Sequence, residues 1–238
     1  MKKDTLLNCK RISLFAFIAV EFALWMLILF ADFGGMLMRC ISYGSVVLCF
    51  AYSLFYLEGK KDSLLQSGAL LFTAVADFFL ILLGGQHKTL AMCAFLCAQI
   101  FYAARIYLLA SSEAEKKLQL ILRLCTSTLG ALLVLLVLRE GAEALFVISV
   151  VYYVNLILSM CFAFAHCKEG LGVLLLAIGL LCFALCDISI GFDFLVDIFS
   201  LEEGNFIYTV VSLPISFVNV FYPPSQTLLC ISAKKLEI

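Results

Sequence analysis

Two aspartates of this chain lie inside long apolar runs, where a charged side chain is costly. Asp77 lies in the run GALLFTAVADFFLILL at residues 68–83, and Asp187 lies 110 residues later in GLLCFALCDISIG at residues 179–191. A carboxylate at bilayer depth costs about 2.5–3.5 kcal/mol on insertion scales, so it persists mainly where it faces a protein interior, a partner or a wet cavity. When the two acids are aligned, ALLFTAVAD matches GLLCFALCD. The pattern predicts two acids on separate helices at similar depth.

Such a pair of carboxyl groups suits general acid and base catalysis. A low-dielectric site favours the neutral acid, and of two facing carboxyls one stays protonated while the other ionises. One group can then donate a proton while the other activates water. We therefore take Asp77 and Asp187 as the candidate catalytic residues. The structural alternative is that each Asp hydrogen-bonds to a neighbouring helix and only holds the bundle together.

Other polar side chains are expected at membrane depth and are candidates for binding a substrate. Gln99 and Tyr102 share one helix face, and Arg105 follows at its cytoplasmic end, where it can either grip a phosphate or reach to the interface. Two consecutive prolines, Pro223 and Pro224, are expected to kink or break the last helix and to place its polar residues near an opening. The candidate substrate-binding residues are Gln99, Tyr102, Tyr153, Asn155, Tyr222 and Gln226.

The elements that must position these residues are transmembrane helices. Of the 238 residues, 64% are hydrophobic and 14% are charged, which excludes a soluble globular protein. About 20 apolar residues cross the bilayer core as a helix, and the chain contains one such run after another. We predict an all-α, polytopic protein forming one integral-membrane domain over residues 1–238. Its eight predicted helices cover residues 12–31, 36–57, 64–83, 89–110, 118–138, 143–165, 171–191 and 207–231.

The distribution of basic residues predicts the orientation of these helices. With the N-terminus in the cytoplasm, 13 of the 16 Lys and Arg residues fall on the cytoplasmic side, and only Arg39, Lys88 and Arg139 fall outside. Both termini are then cytoplasmic, and the acidic loop 192–205 is external. The match of Asp77 to Asp187 also suggests two parallel four-helix halves. A third intramembrane acid, Glu21, has no counterpart in the second half, and we rate it no more than a candidate cavity residue.

The sequence excludes several kinds of site. Its two histidines, His87 and His166, are predicted on opposite sides of the membrane, so they cannot build a His-rich zinc site or an intramembrane Ser-His-Asp triad. No metal site and no cofactor are expected. There is no basic patch interleaved with aromatic residues, so nucleic acid is not expected as a partner. The 11 cysteines lie mostly inside the apolar runs and are interpreted as small packing residues.

At these residues the chain resembles the YhhN-like lysoplasmalogenase family of small polytopic proteins with about eight helices. The family's Gly-Asp-x-x-Leu pattern is similar to residues 76–80, with Ala76 in place of glycine. Gln99 and Tyr102 follow as the family pattern requires, and GLLCFALCD resembles a later segment, with Cys186 at a serine position. Tyr222 and Gln226 resemble the closing helix. A Lys-Pro at the start of the second helix is missing, and Arg39 is merely nearby.

The resemblance implies hydrolysis of the vinyl-ether bond of a lysoplasmalogen, giving a fatty aldehyde and a glycerophospho-alcohol without a cofactor. The expected partners are then a lysophospholipid substrate and the lipid bilayer, in the plasma membrane of a bacterium. Two alternatives are a proton-coupled transporter, for which paired acids and a broken helix are also expected, and a non-catalytic lipid-binding protein. Ala76 and Cys186, which depart from the family's glycine and serine beside each acid, are compatible with the latter. The sequence leaves the oligomeric state and the head group open.

Overall fold

The protein is an all-helical bundle over the residues that the computed structural model describes, which are 2–31, 33–55, 60–139, 143–213 and 215–233. Apolar runs free of proline form the long helices, because an uninterrupted chain in hydrocarbon must pair its backbone groups internally. The helices are α1 (Lys2–Phe30), α2 (Gly35–Phe55), α3 (Lys61–Asp77), α4 (Lys88–Leu109), α5 (Glu113–Leu138), α6 (Ala144–Ala165), α7 (Leu171–Phe199), α8 (Phe206–Val211) and α9 (Phe217–Ile231).

Seven helices of the described chain, α1 to α7, are long and apolar enough to cross a membrane. They coincide with the first seven predicted helices, although α1 begins ten residues earlier and α7 continues to Phe199. The predicted loop from residue 192 is therefore helical in its first part. Apolar content marks where a helix can sit in lipid but not where it ends, so α1 and α7 extend past their predicted bounds. The orientation of the termini remains a prediction.

The predicted eighth span, 207–231, is wrong as a single helix. It consists of the short α8 and the 15-residue α9, which are separated after Val211. The sequence predicts a kink or a break at the double proline, and a break there is wrong, because Pro223 and Pro224 lie inside α9. Pro223 has no N–H to offer the carbonyl of Asn219 four residues earlier. The indole N–H of Trp25 donates to that carbonyl instead, at 3.1 Å. A side chain of α1 thus satisfies a backbone group that the proline leaves unpaired.

Helices α3, α4, α6, α7 and α9 surround the main core, and α1 and α2 pack beside α9. The core contains the fully buried Tyr102, Leu156, Leu180, Phe183 and Leu229. Helix α7 lies close to the backbone of α9 at Gly179, where an added Cβ would lie 2.9 Å from Cγ and 3.1 Å from the backbone nitrogen of Leu229. Helix α5 packs mainly against α6, and most of its leucines are exposed to the surroundings.

The two ends of the bundle differ in their polar contacts. At one end, which we call the Arg105 end, the buried guanidinium of Arg105 donates to Asp62 at 2.8 and 3.1 Å and to Ser232 at 2.9 Å. Nearby helix ends are joined by His166, whose ring nitrogens contact Glu115 and Glu169. The opposite end is formed by the turn after α3, the start of α4 and the end of α7, and we call it the Gly84 end after Gly84 in that turn.

Candidate active site

Asp77 is the last residue of α3, and its side chain is only 2% exposed. The hydroxyl of Tyr222 on α9 donates a hydrogen bond to its carboxyl group. The helix widens directly after it: residues 78–82 form a π-helical turn, and the N–H of Leu83 bonds to the carbonyl of Phe78 five residues back at 3.1 Å. Such wide turns occur often at functional sites. The phenol of Tyr43 on α2 interacts electrostatically with Asp77 from a third helix.

Asp187 holds the equivalent position on α7. It is the seventeenth residue of that helix, as Asp77 is of α3, so each acid lies about 24 Å from the start of its helix. The hydroxyl of Tyr152 on α6 donates to Oδ2 of Asp187 at 2.6 Å. Tyr153, the next residue on α6, interacts electrostatically with the same carboxyl. Each acid is therefore held by a phenol from a neighbouring helix.

The two acid–phenol pairs form one site. Asp77 lies within electrostatic range of Asp187. The ring of Phe183 on α7 contacts both phenols, with centroid distances of 6.5 Å to Tyr152 and 5.6 Å to Tyr222. The buried thiol of Cys186 interacts with both acids. Among the described residues, no three His, Cys, Asp or Glu side chains are grouped so that they could hold a metal ion.

Two predicted binding residues, Gln99 and Gln226, lie one helical turn from this site. Phe95 on α4 contacts the ring of Phe183 at 5.8 Å, and Gln99 follows Phe95 by four residues. Gln226 follows Tyr222 by four residues on α9. Both side-chain amides are completely buried. Among the described residues, the amide nitrogen and oxygen of Gln99 and the amide oxygen of Gln226 have no hydrogen-bond partner. Buried amides normally find a partner, so these groups are available to a bound molecule.

Other predicted residues have different surroundings. Tyr102 is completely buried two turns beyond Phe95, and its phenol interacts with Arg105 and with Cys49 and Cys230 rather than with the acids. The guanidinium of Arg105 does not face a free anion site, because Asp62 and Ser232 occupy it.

Asn155 and Glu21 also contact other helices. The Asn155 amide donates to Ser127 at 3.0 Å and accepts from Arg123 at 3.2 Å, which links α6 to α5. Glu21 is buried between α1 and α2, where Ser45 donates to it at 2.6 Å.

Sequence reasoning selected neither Tyr43 nor Tyr152, and on the helix of Tyr152 it selected the neighbouring Tyr153. A helical residue turns by about 100° relative to the one before it, so Tyr152 and Tyr153 face different neighbours. Which of the two meets Asp187 depends on how α6 is rotated against α7. Tyr43 carried no signal of its own, since an isolated tyrosine in an apolar run is also compatible with a packing role.

A separate groove of about 460 Å³ opens on the outside of α3, α4 and α5. Its lining includes Lys61, Leu64, Ala104 and Leu108, which places it at the Arg105 end. Asp77 is 16 residues further along α3 than Lys61, so this groove is distinct from the acid site. Its apolar lining is of the kind that lipid chains contact.

The fold and the site together define a polytopic, all-helical membrane protein with two neighbouring carboxyl groups, each hydrogen-bonded to a tyrosine. The YhhN family model matches residues 36–210, so the chain belongs to the YhhN family. This family is associated with lysoplasmalogenase activity. No curated protein and no solved structure matches the chain.

Proposed function

We propose that the protein is a membrane hydrolase that cleaves the vinyl-ether bond of lysoplasmalogens, with Asp77 and Asp187 as the acid and base. The observation that carries the proposal is that two carboxyls, each oriented by a phenol from another helix, lie around one ring, that of Phe183. Family membership supports the same activity. A packing role would need only one hydrogen bond for each Asp and gives no reason for the two acids to lie in the same site.

The reaction requires the two functions that such a pair supplies. The acid donates its proton to the vinyl carbon that is not bonded to oxygen. The ether oxygen then stabilises the resulting oxocarbenium ion. The base removes a proton from water as the water oxygen bonds to the cationic carbon. The hemiacetal then loses the glycerophospho-alcohol and leaves the fatty aldehyde. In that last step the ionised acid takes a proton from the hemiacetal hydroxyl, and the base passes the proton that it took from water to the departing alkoxide oxygen. One water is consumed, and both carboxyl groups return to their starting states.

The structure distinguishes the two carboxyls by their burial. Asp77 is almost inaccessible, whereas Asp187 is partly exposed. The cost of an ionised carboxylate rises with its burial. We therefore assign the proton donor to Asp77 and the base to Asp187. Tyr222 and Tyr152 orient these groups. The unpaired amides of Gln99 and Gln226, one turn away, are our candidates for holding the attacking water.

The test is aldehyde release from a 1-alkenyl lysophospholipid by the purified full-length protein. Replacing Asp77 by Asn should lower the rate roughly 10²–10⁴-fold, the usual contribution of a proton-transferring group, and Asp187→Asn should do the same. Glu21→Gln is the matched control, because Glu21 is also a buried intramembrane acid but bonds to Ser45 outside this site. Normal turnover by folded Asp77→Asn protein would exclude the mechanism.

A further inference from the structure

Two cationic side chains converge at the Gly84 end of the bundle. Arg39 of α2 approaches Gly84, such that an added Cβ on that glycine would lie 3.2 Å from Nη1 of Arg39. Lys88 of α4 approaches the next residue, where a Cβ on Gly85 would lie 3.5 Å from its Cε. Both glycines have positive φ, +61° and +75°, a backbone conformation that residues with a Cβ rarely adopt. Because glycine has no Cβ, the turn also leaves room for the two cationic side chains.

Neither cation has a carboxylate partner in the described parts of the chain. Lys88 lies 5.4 Å from the ring centre of Phe194, and no ion pair to Lys88 or to Arg39 is found among those residues. Arg105 at the other end differs, because Asp62 neutralises it. Arg39 and Lys88 are also two of the three basic residues that fall outside in the predicted orientation, where basic residues are depleted.

This cationic pair lies directly beyond the two acids. Gly84 follows Asp77 by seven residues, and Phe194, under Lys88, follows Asp187 by seven residues. Residues 187–194 lie within α7, where seven residues correspond to about 10 Å, or two turns. Tyr43, which interacts with Asp77, lies one turn from Arg39 on α2 and connects the two levels. The three-carbon glycerol unit between an ether oxygen and a phosphate, together with a long cationic side chain, covers such a distance.

We propose that Arg39 and Lys88 bind the phosphate of the lysophospholipid head group and so place its ether bond at the level of Asp77 and Asp187. The identity of that bond rests on the proposed hydrolase function. The Arg39 guanidinium suits bidentate contact with phosphate oxygens, and the Lys88 ammonium adds a second charge-assisted contact. The head group then lies at the Gly84 end, and the substrate enters from the leaflet at that end.

The experiment measures binding of two ligands that cannot be hydrolysed, a 1-O-alkyl lysophosphoethanolamine and the corresponding phosphate-free 1-O-alkylglycerol. Arg39→Gln and Lys88→Gln, each made in the full chain, should weaken binding of the phosphate-containing ligand roughly 10- to 100-fold, the range for one lost charge-assisted contact. Binding of the alkylglycerol should not change. Lys117→Gln is the matched control, since it removes the same charge at the Arg105 end.

Equal weakening of both ligands, or no weakening in either variant, would overturn the proposal. Displacement of the lysophospholipid by inorganic phosphate at comparable concentration would overturn the assignment to a lipid head group. Because binding needs no turnover, the result is independent of the hydrolase test. If the wild-type protein releases no aldehyde, but Arg39→Gln still loses phosphate-dependent binding, the proposed reaction is refuted and the phosphate site is retained.

Discussion

The hydroxyl of Tyr152 on α6 donates a 2.6 Å hydrogen bond to Asp187 on α7, and Tyr222 on α9 makes the same kind of contact with Asp77 on α3. Phe183 lies against both phenols. Four helices therefore hold two carboxyls in fixed orientations. The relative placement of these helices, rather than any single segment, determines the geometry available for proton transfer.

We expect the two tyrosines to act by positioning the acids. Tyr152→Phe and Tyr222→Phe each keep the ring packing but remove the hydroxyl that orients a carboxyl, and a small misplacement of a reacting group can cost about 10²-fold in rate. We predict a fall in kcat of roughly 10- to 100-fold in the folded variants. Tyr107→Phe, at an exposed phenol of the Arg105 end, is the control. Unchanged kcat in both variants would show that the phenols do not orient the acids.

The contact of α7 with α9 at Gly179 should be intolerant of added volume. In Gly179→Ala the new Cβ would lie 2.9 Å from Cγ and 3.1 Å from the backbone nitrogen of Leu229, and the backbone atom cannot turn away. We expect a loss of about 1–3 kcal/mol, seen as a lower Tm in detergent. Gly191→Ala on the same helix meets nothing within 4 Å and should leave Tm nearly unchanged. Similar Tm values for the two variants would contradict this close approach.

Trp25 should stabilise the proline-containing helix through the carbonyl of Asn219. Trp25→Phe leaves that carbonyl without its donor, at an expected cost of about 1–3 kcal/mol in the free energy of unfolding. Pro223→Ala supplies a backbone N–H that can bond to Asn219 instead. In a double-mutant cycle, Trp25→Phe should therefore cost less in the Pro223→Ala background. An equal cost in both backgrounds would rule out this interpretation of the contact.

The stability of the Arg105 end should depend on pH through His166, which follows α6. Hydrogen bonds to Glu169 and Glu115 raise the pKa of His166 above its ordinary value of 6.5. The charged ring binds its proton more tightly in the folded protein, so its contribution is complete below pH 6.5 and is lost as the pH rises through the folded pKa. His166→Gln should remove this decline from a plot of Tm against pH, whereas His87→Gln should keep it. An unchanged decline in His166→Gln would refute the assignment.

Much of the fold could be predicted from the sequence, and the failures have physical reasons. The first seven helices follow from apolar runs, because the cost of transferring a segment into lipid depends mainly on its own residues. The prediction of one helix over residues 207–231 was wrong, because the average apolar content of this segment does not show the break after Val211. The double proline does not break α9, which the sequence alone could not show. Its unpaired carbonyl at Asn219 is satisfied by Trp25, 194 residues away in sequence.

The sequence alone determined that the chain spans a membrane and that Asp77 and Asp187 are the acids to examine, since burying charge in lipid is costly wherever it occurs. Only the tertiary structure decided which groups meet these acids. Tyr152 and Tyr222 bond to them, while Asn155 turns toward Arg123 on another helix. The physical reason is that the partners of a helical side chain depend on the rotation and depth of its helix against its neighbours, and both are set by packing over the whole bundle.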